Sequence, residues 1–370
     1  MPPPPRDKKT PFSVGVLKGE GSGPELIDAA LCVLDAVADQ SDIKFNIAIG
    51  GEIGDASAAR TGQYLSAEVA EFCRGIFSRG GAILSGPGCG RFVYDMRRHF
   101  GLYHKLNPMR SYPELRNICK LKLPAQRLDI LLVRENLDDV YQGKSTEQSS
   151  QTGREVRHLF CHKEANVRAV VKVAAQAAHN RRNDLAVITK DSGLPVIHSL
   201  WRRCALEVAG SAGITISFID IDYAAYKLLQ SPQEFDVIVA PNFFGDILSD
   251  LGGVLAGSRG LTYGGSFSET GAAVYQTNHG AAHDLAGRDE ANPAGQIFSL
   301  AMLLRRSFGL ERESSLIEDA VQAVWAVGWR TADLNESGCR VAGTKQFAEL
   351  VAEQISGESA VANERCSVAR

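Results

Sequence analysis

The chain has 370 residues, more than one ordinary hydrophobic core holds, so its length predicts two lobes or domains. A hydrophobic content of 44% and a charged content of 22% are typical of a globular enzyme. The net charge of −3, without an arginine-rich block, argues against nucleic acid as a partner. No apolar window approaches the roughly 20 residues that span a bilayer, which argues against a membrane protein.

Both ends of the chain lack the pattern of a folded segment. Residues 1–11 begin with a proline-rich, charged lead, so we expect a disordered extension and not a secretory signal. Residues 356–370 are polar, and we expect a flexible tail. The eight cysteines form no CxxC pair, which disfavours zinc and disulfide frameworks and favours free thiols in the cytoplasm.

The first third of the chain alternates short apolar runs with amphipathic stretches. The pattern predicts strands at 12–17, 45–49 and 81–84, and helices from 24 to about 38, at 68–78 and at 96–106. Three glycines follow the first strand, but Pro24 stands where a dinucleotide-binding GxGxxG motif needs its third glycine. We interpret Pro24 and Glu25 as an ordinary helix start.

A run of basic residues lies within the helix predicted at 96–106. We interpret this run as a solvated helix face; it contains Arg97, Arg98, His99, His104 and Lys105.

The remainder of the chain continues the alternation. It predicts strands at 128–133, 185–189, 214–219 and 235–240, and helices at 165–180, 195–209, 245–255, 295–308 and 314–327, with one more ending near 230. The last two helices complete the predicted fold. Alternation of strands and helices throughout predicts an α/β fold.

Charged residues stand at the ends of several predicted strands or in the turn beyond. They are Arg134, Lys190, Asp222, Asp246 and Asp250. In α/β proteins the ends of buried strands carry ligand contacts. Each residue alone is compatible with an ion pair or a helix cap. Together they offer cations for substrate carboxylates and oxygen ligands for Mg²⁺ or Mn²⁺.

The two later aspartates are four residues apart on one predicted helix, so their carboxylates emerge from one face. Two acids this close to a buried strand are costly unless a cation meets them. Asp246 alone is compatible with a charge at the helix N-terminus. Asp250 lies one turn further on, among Leu248, Leu251 and Val254, and a divalent cation explains it better.

Four segments, in this order, resemble the β-decarboxylating hydroxyacid dehydrogenases, the family of isocitrate, isopropylmalate, homoisocitrate and tartrate/D-malate dehydrogenases. They are GEGSGPE at 19–25, LLVRENLDDVY at 131–141, NFFGDILSDL at 242–251 and NHGAAHDLAGRDEANP at 278–293. The resemblance implies an isopropylmalate dehydrogenase-like fold: a large mixed β-sheet in two lobes with flanking helices. It also implies a large cofactor-binding domain of 12–107 plus 258–355, and a small metal-binding and dimerisation domain of 108–257.

The resemblance further implies oxidative decarboxylation of a hydroxyacid by a homodimer with shared active sites. Asp246 and Asp250, with the partner subunit's Asp222, would hold Mg²⁺ or Mn²⁺. The partner subunit's Lys190 would act as base on the substrate hydroxyl, and Tyr141 would protonate the product carbon.

The implied cofactor is NAD. Its adenosine end would lie against the loop at 278–293, on His279, Gly280, Asp284 and Asn292. The carboxylate of Asp284 can accept a hydrogen bond from a ribose 2′-hydroxyl but would repel a 2′-phosphate, which implies NAD and not NADP.

Arg97 and Arg134 would clamp the malate carboxylates. The family has a second arginine ten residues after Arg97, and this chain has Asn107 there; Arg110 is a candidate substitute. Three further family positions differ, because Ser85 replaces a lysine, Ser192 an asparagine and Gln276 a glutamate.

The resemblance implies that the loop at 89–94 selects the substituent at the substrate's third carbon. Arg91 either contacts a carboxylate or phosphonate tail, which would make the substrate an isocitrate-like 3-substituted malate, or points to solvent. Isopropylmalate, homoisocitrate and tartrate/D-malate are the alternative substrates. The alternative of another class is a non-catalytic regulatory subunit. The joint retention of Asp222, Asp246, Asp250, Lys190 and Tyr141 argues against it.

Overall fold

The computed structural model describes residues 10–119, 121 and 128–357. The extension predicted at 1–11 and the tail predicted at 356–370 lie mostly outside these residues, so both stay predictions. Within the described ranges, no helix combines the length and the apolar character needed to cross a membrane.

The described residues form fourteen strands. They are β1 Phe12–Leu17, β2 Phe45–Ile49, β3 Ala82–Ser85, β4 His104–Arg110, β5 Asp129–Glu135, β6 Lys144–Ser150, β7 Gly153–Leu159, β8 Asp184–Thr189, β9 Thr215–Asp220, β10 Val237–Ala240, β11 Tyr263–Phe267, β12 Ala273–Thr277, β13 Trp329–Arg330 and β14 Arg340–Val341.

The same residues form eleven α-helices. They are α1 Gly23–Ser41, α2 Gly54–Thr61, α3 Ala67–Ser78, α4 Phe92–His99, α5 Glu164–His179, α6 Pro195–Ala212, α7 Ile221–Gln230, α8 Asn242–Ala256, α9 Ala294–Phe308, α10 Glu311–Ala326 and α11 Thr344–Ser356.

Ten of the described strands form one mixed sheet, in the order β2-β1-β3-β12-β11-β4-β5-β10-β8-β9. Two parallel sets lie at its ends, β2-β1-β3-β12 and β5-β10-β8-β9. The antiparallel strands β11 and β4 join them in the middle. The predicted α/β fold with a large mixed sheet and flanking helices is confirmed.

The sheet runs through both predicted domains. β5, β10, β8 and β9 belong to the small domain predicted at 108–257, but the predicted boundary between residues 107 and 108 falls inside β4. The domain division therefore stays a prediction.

Side chains alternate between the two faces of the sheet, as they must in extended strands. Leu131 and Val133 of β5 join a large core on one face, packed under α1, α5, α6, α9, α10 and α11. Leu132 faces the other side, where a smaller core is covered by α7 and α8. A second small core, under α3 and α4, lies on that same face at the other end of the sheet. Polar side chains of β4 and β5 lie between these two small cores.

The helix predicted at 96–106 is wrong in its second half. α4 ends at His99, and residues 104–110 are β4, in the middle of the sheet. The solvated face predicted for its basic run is also wrong in part, because Arg97, His104 and Lys105 are buried.

Several further elements lay outside the predicted pattern, among them a long helix and a hairpin. A third long helix, α11, follows the two that were expected to end the fold, and it packs against α1 and α10. The hairpin β6–β7 is mostly exposed and carries few apolar residues, so hydrophobic alternation could not indicate it.

Candidate active site

A cleft of about 330 Å³ lies on the sheet face between the two small cores. Its charged lining comes from Arg97, Lys105, Arg134, Asp246 and Asp250, together with Arg259. His279, Gly280 and Gln276 line it from the side of the predicted cofactor loop. The remaining lining is mostly apolar and includes Pro87, Gly88, Val93, Tyr94 and Ile247. The fold thus brings predicted substrate, metal and cofactor residues into one cleft.

Arg134 is the centre of a buried hydrogen-bond network at the end of β5. Its Nε and Nη2 donate to Oδ1 of Asn242 at 3.0 and 2.7 Å, and its Nη1 donates to Oδ1 of Asp246. The other oxygen of Asp246, Oδ2, accepts from the phenol of Tyr141 at 2.6 Å. Gly245 makes this packing possible, because a Cβ there would lie 2.8 Å from Cγ of Arg134.

These contacts set the protonation of the pair. Burial acts to raise the pKa of Asp246, but the charge of Arg134 and the bond from Tyr141 outweigh it, and the pKa lies below its ordinary value. Burial, and then the bond to Asp246, raise the pKa of Tyr141 above its ordinary value. At neutral pH the carboxylate is therefore ionised and the phenol keeps its proton.

Two further cations line the cleft, and neither forms an ion pair with another described residue. Arg97 is 4% exposed, and its Nε and Nη1 find no hydrogen-bond acceptor among the described residues. Burial, followed by repulsion from Arg134, lowers the pKa of Arg97 to about 9. Lys105 is 3% exposed, and burial, then Arg97 and Arg134, bring its pKa well below the ordinary value. The sequence pattern had not indicated Lys105 as a site residue.

Two of the three predicted metal ligands share this cleft. Asp246 and Asp250 both lie on α8, and both offer carboxylate oxygens, the donors that Mg²⁺ and Mn²⁺ prefer. Asp250 pairs with Nη2 of Arg259 at 3.1 Å on the partly exposed rim. The donor chemistry fits a divalent cation, since one carboxylate is held ionised and the other has an exchangeable surface partner.

The third predicted ligand lies elsewhere in the chain. Asp222 accepts from Nζ of Lys190 at 2.8 Å, at the ends of β9 and β8, and neither residue lines the cleft. The bond to Asp222 raises the pKa of Lys190. Within the described ranges, no group of three close metal-ligating side chains includes Asp246 or Asp250. A single chain thus brings together two ligands, and a shared dimer site stays a prediction.

Three predicted substrate residues lie outside the cleft lining: Arg91, Arg110 and Asn107. Arg91 is half-exposed; it donates to the carbonyl oxygen of Tyr141 at 3.2 Å and lies 3.8 Å from Asp95. Arg110 points to the opposite face of the sheet, where it pairs with Glu318 at 3.3 Å. This position prevents Arg110 from substituting for an arginine at position 107.

Asn107 is buried beside the cleft. Its Nδ2 donates to Oδ1 of Asn278 at 2.8 Å, while its own Oδ1 has no partner among the described residues. Asn278 lines the cleft, so Asn107 supports the wall and does not enter the space. Two other positions that differ from the family pattern can be placed. Gln276 lines the cleft, and the hydroxyl of Ser85 donates to the neighbouring carbonyl of Gly86 at 2.8 Å.

The predicted cofactor residues differ in accessibility. Burial lowers the pKa of His279, which favours a neutral ring at the cleft. Asp284 is exposed. Asn292 is buried; its Nδ2 donates to Asp333 at 3.1 Å, and its Oδ1 accepts from the backbone of Ala294 at 3.0 Å, at the start of α9. Asn292 therefore shapes the loop.

The glycine motif at 19–23 joins two loops of the cleft. Glu20 N donates to the carbonyl of Pro87 at 2.8 Å, and Ser22 N donates to that of Ala281 at 2.8 Å. Gly21 has a φ of 58°, and any side chain there would collide with the carbonyl oxygen of Ala281. This motif begins α1 and packs against the loops, in agreement with the interpretation of Pro24 as a helix start.

The chain is similar to known proteins over almost its whole length. The family described as isocitrate/isopropylmalate dehydrogenase matches residues 13–351. The 3-isopropylmalate dehydrogenase of Carboxydothermus hydrogenoformans is 35% identical over 368 residues, covering 95% of this chain and 97% of its own. That of Oleidesulfovibrio alaskensis is 33% identical over 356 residues, covering 92% of this chain and 98% of its own.

Solved structures show the same architecture. The isocitrate dehydrogenase from Methylococcus capsulatus superposes with a TM-score of 0.83 at 26% identity, covering 93% of this chain and 99% of that one. The resemblance inferred from the four segments is therefore confirmed. The chain belongs to the isocitrate/isopropylmalate dehydrogenase family.

Proposed function

We propose that the protein is an NAD-dependent, Mg²⁺- or Mn²⁺-dependent dehydrogenase that oxidises and decarboxylates a 3-substituted malate. The observation that carries this proposal is the cleft itself. The cations Arg97, Lys105 and Arg134 line it together with the carboxylates Asp246 and Asp250, of which Asp246 is bonded to Arg134. A malate offers carboxylates for the first set, and a hydroxyl and carboxylate oxygens for a metal held by the second.

The substituent at the third carbon is proposed to be apolar. Val93, Tyr94 and Ile247 line the cleft, whereas Arg91 is bonded to the backbone of Tyr141 outside it. This supports the solvent-facing alternative for Arg91 and gives no support to an anionic, isocitrate-like tail. Because the similar sequences carry the name 3-isopropylmalate dehydrogenase, 3-isopropylmalate is the first candidate substrate.

The arginines would bind and orient the substrate. Arg134 is held by Asn242 and Asp246, so its guanidinium is fixed before the substrate arrives. Nε and Nη1 of Arg97 find no acceptor in the described part of the chain, which suits a carboxylate of the substrate. A divalent cation at Asp246 and Asp250 would supply Lewis-acid stabilisation of negative charge on the substrate oxygens.

Proton transfers would be made by Tyr141 and, from the second chain, by a lysine. We propose that the partner subunit's Lys190 takes the hydroxyl proton as hydride leaves for NAD⁺. Within one chain its bond to Asp222 raises the pKa of Lys190. If Asp222 binds the metal cation, its hydrogen bond to Lys190 is lost. The pKa of Lys190 then falls, and its amine becomes a better base. Tyr141 keeps its proton at neutral pH and would deliver it to the third carbon once CO₂ has left.

The proposal is tested by NADH absorbance with Mn²⁺ and a panel of 3-isopropylmalate, isocitrate, homoisocitrate, D-malate and tartrate, with CO₂ measured in parallel. We expect NADH and CO₂ in equal amounts, fastest with 3-isopropylmalate. NADH without CO₂ would identify a non-decarboxylating dehydrogenase. If no acid of the panel yields NADH while NAD still binds, the result would support a regulatory subunit.

A further inference from the structure

We propose that Lys105 is a substrate-binding residue that contacts a malate carboxylate together with Arg97, in the role left open by Asn107. This inference rests on the proposed function, because it assigns the anion in the cleft to a malate. It adds a residue that the sequence pattern placed on a solvated helix.

The strand register places Lys105 correctly for this role. In the antiparallel pair β4–β5, Lys105 lies directly opposite Arg134, and Asn107 lies opposite Leu132. Residues two apart on a strand share a face, so Lys105 and Asn107 project to the same side as Arg134. Nδ2 of Asn107 donates a hydrogen bond to Oδ1 of Asn278 at 2.8 Å, whereas Lys105 lines the cleft.

The neighbouring strand leaves room for the lysine. Gly264 of β11 lies against both side chains: a Cβ there would lie 2.9 Å from Cε of Lys105 and 2.7 Å from Nδ2 of Asn107. The glycine therefore lets the lysine run past β11 towards the cleft.

Among the residues that the structure describes, the charge of Lys105 is not balanced by an ion pair. No acid of the described residues lies within ion-pair distance of its ammonium. Arg97 beside it stacks on the ring of Tyr94, but its Nε and Nη1 find no acceptor among the described residues. Arg134 is already matched by Asp246. A buried cation without a counter-ion costs several kcal/mol, so this arrangement persists because an anion completes it when substrate binds.

A carboxylate of malate and a phosphate of NAD are both anions that could meet Lys105. We favour the carboxylate, because Lys105 stands beside Arg134, whose guanidinium bonds Asp246, and not on the loop at 278–293. The two sources are separated by measuring both ligands.

The test compares Lys105→Met, Lys105→Arg and a control, Lys172→Met, whose lysine is exposed on α5. D-malate binding to the full chain in Mg²⁺ is measured by calorimetry, NADH binding by fluorescence, and Tm without ligand. We expect Lys105→Met to weaken malate binding by about 10- to 100-fold. Lys105→Arg should recover much of that loss, since it keeps the charge. NADH binding should not change.

The melting temperature separates a binding role from a structural one. Removal of an unpaired buried charge should leave the Tm of the free Lys105→Met protein unchanged or higher. Three results for Lys105→Met would each overturn the proposal: malate binding like that of the wild type, a loss of NADH binding instead, or a lowered Tm. An equal loss of malate binding in Lys172→Met would also overturn it. Wild-type protein that binds malate but forms no NADH with the panel would overturn the proposed function and leave this test valid. Wild-type protein that binds no malate would overturn both.

Discussion

The phenol of Tyr141 donates a 2.6 Å hydrogen bond to Oδ2 of Asp246, so the predicted proton donor touches a predicted metal ligand. The other oxygen of Asp246 is bonded by Arg134. The same contacts that hold Asp246 ionised also hold Tyr141 protonated. The predicted metal ligand and the predicted proton donor therefore share one carboxylate contact.

Replacement of Tyr141 by Phe should lower kcat by about 100- to 1,000-fold, because the substitution removes the proposed proton donor and keeps the ring. Hydride transfer precedes the lost step. We therefore expect a rapid burst of NADH in the first turnover, followed by slow steady-state turnover, in stopped-flow absorbance.

Tyr94→Phe is the matched control. The ring of Tyr94 lies 5.1 Å from that of Tyr141, but its hydroxyl does not bond to Asp246 in the structure. This variant should show no burst and a much smaller loss of kcat. A Tyr141→Phe enzyme that is as fast as Tyr94→Phe would rule out Tyr141 as the donor.

Substitution at Asp250 and at Arg259 should change metal affinity in opposite directions. Asp250→Asn removes a carboxylate and should weaken Mn²⁺ binding by about tenfold or more. Arg259→Ala removes the cation that pairs with Asp250 at 3.1 Å, so Mn²⁺ should bind more tightly. The gain should be small, since an exposed pair contributes at most about 1 kcal/mol.

Mn²⁺ binding is measured by electron paramagnetic resonance of the free ion, without substrate or NAD. Asp319→Asn, an exposed aspartate on α10, is the control and should bind as the wild type does. Unchanged Mn²⁺ affinity in Asp250→Asn would exclude this residue as a ligand.

The strand ends of the site were predictable because each follows an apolar run. Arg134 follows the apolar run within β5, and Asp246 follows β10 by one helical turn, so hydrophobic pattern alone placed them near one edge. The fold class followed from the same alternation. The pairing of Asp222 with Lys190, away from the cleft, could not be predicted, because it depends on which strand ends become neighbours.

Residues 104–110 could not be predicted for a different reason. β4 lies in the middle of the sheet and carries buried polar residues on both faces, so neither strand nor helix periodicity shows in its hydrophobicity. Arg110 was a candidate because it follows Asn107 by three residues in the sequence. The strand instead places Lys105 beside Asn107 and turns Arg110 to the other face. Lys105 is recognisable as a site residue only when residues 104–110 are known to form β4.

Glu135 should make stability depend on pH. It is fully buried, and burial, followed by the charge of Asp138, raises its pKa from 4.5 to about 8. Between these values the folded state keeps a proton that the unfolded chain has lost. The free energy of unfolding should therefore fall as the pH rises through this window, by at most about 1.4 kcal/mol per pH unit.

Glu135→Gln should flatten that slope, because the amide oxygen can still accept from the backbone of Leu137 and does not titrate. Urea unfolding at fixed protein concentration between about pH 5 and about pH 8.5 measures it. Glu71→Gln, an exposed change on α3, should keep the wild-type slope. Parallel pH profiles for Glu135→Gln and the wild type would show that Glu135 is ionised in the folded state.

Gly21→Ala should damage both stability and cofactor binding. Its φ of 58° is costly for alanine, and its Cβ would collide with the carbonyl of Ala281, in the loop at 278–293. Gly62 is the matched control: it has a φ of 76°, but a Cβ there meets no atom within 4 Å. Gly62→Ala should cost about 1 kcal/mol in urea unfolding, and Gly21→Ala about 1–3 kcal/mol more. Only Gly21→Ala should weaken NADH binding in a fluorescence titration, because only that change displaces the loop. Equal losses of stability in the two variants, with NADH binding intact, would mean that Gly21 serves backbone conformation alone.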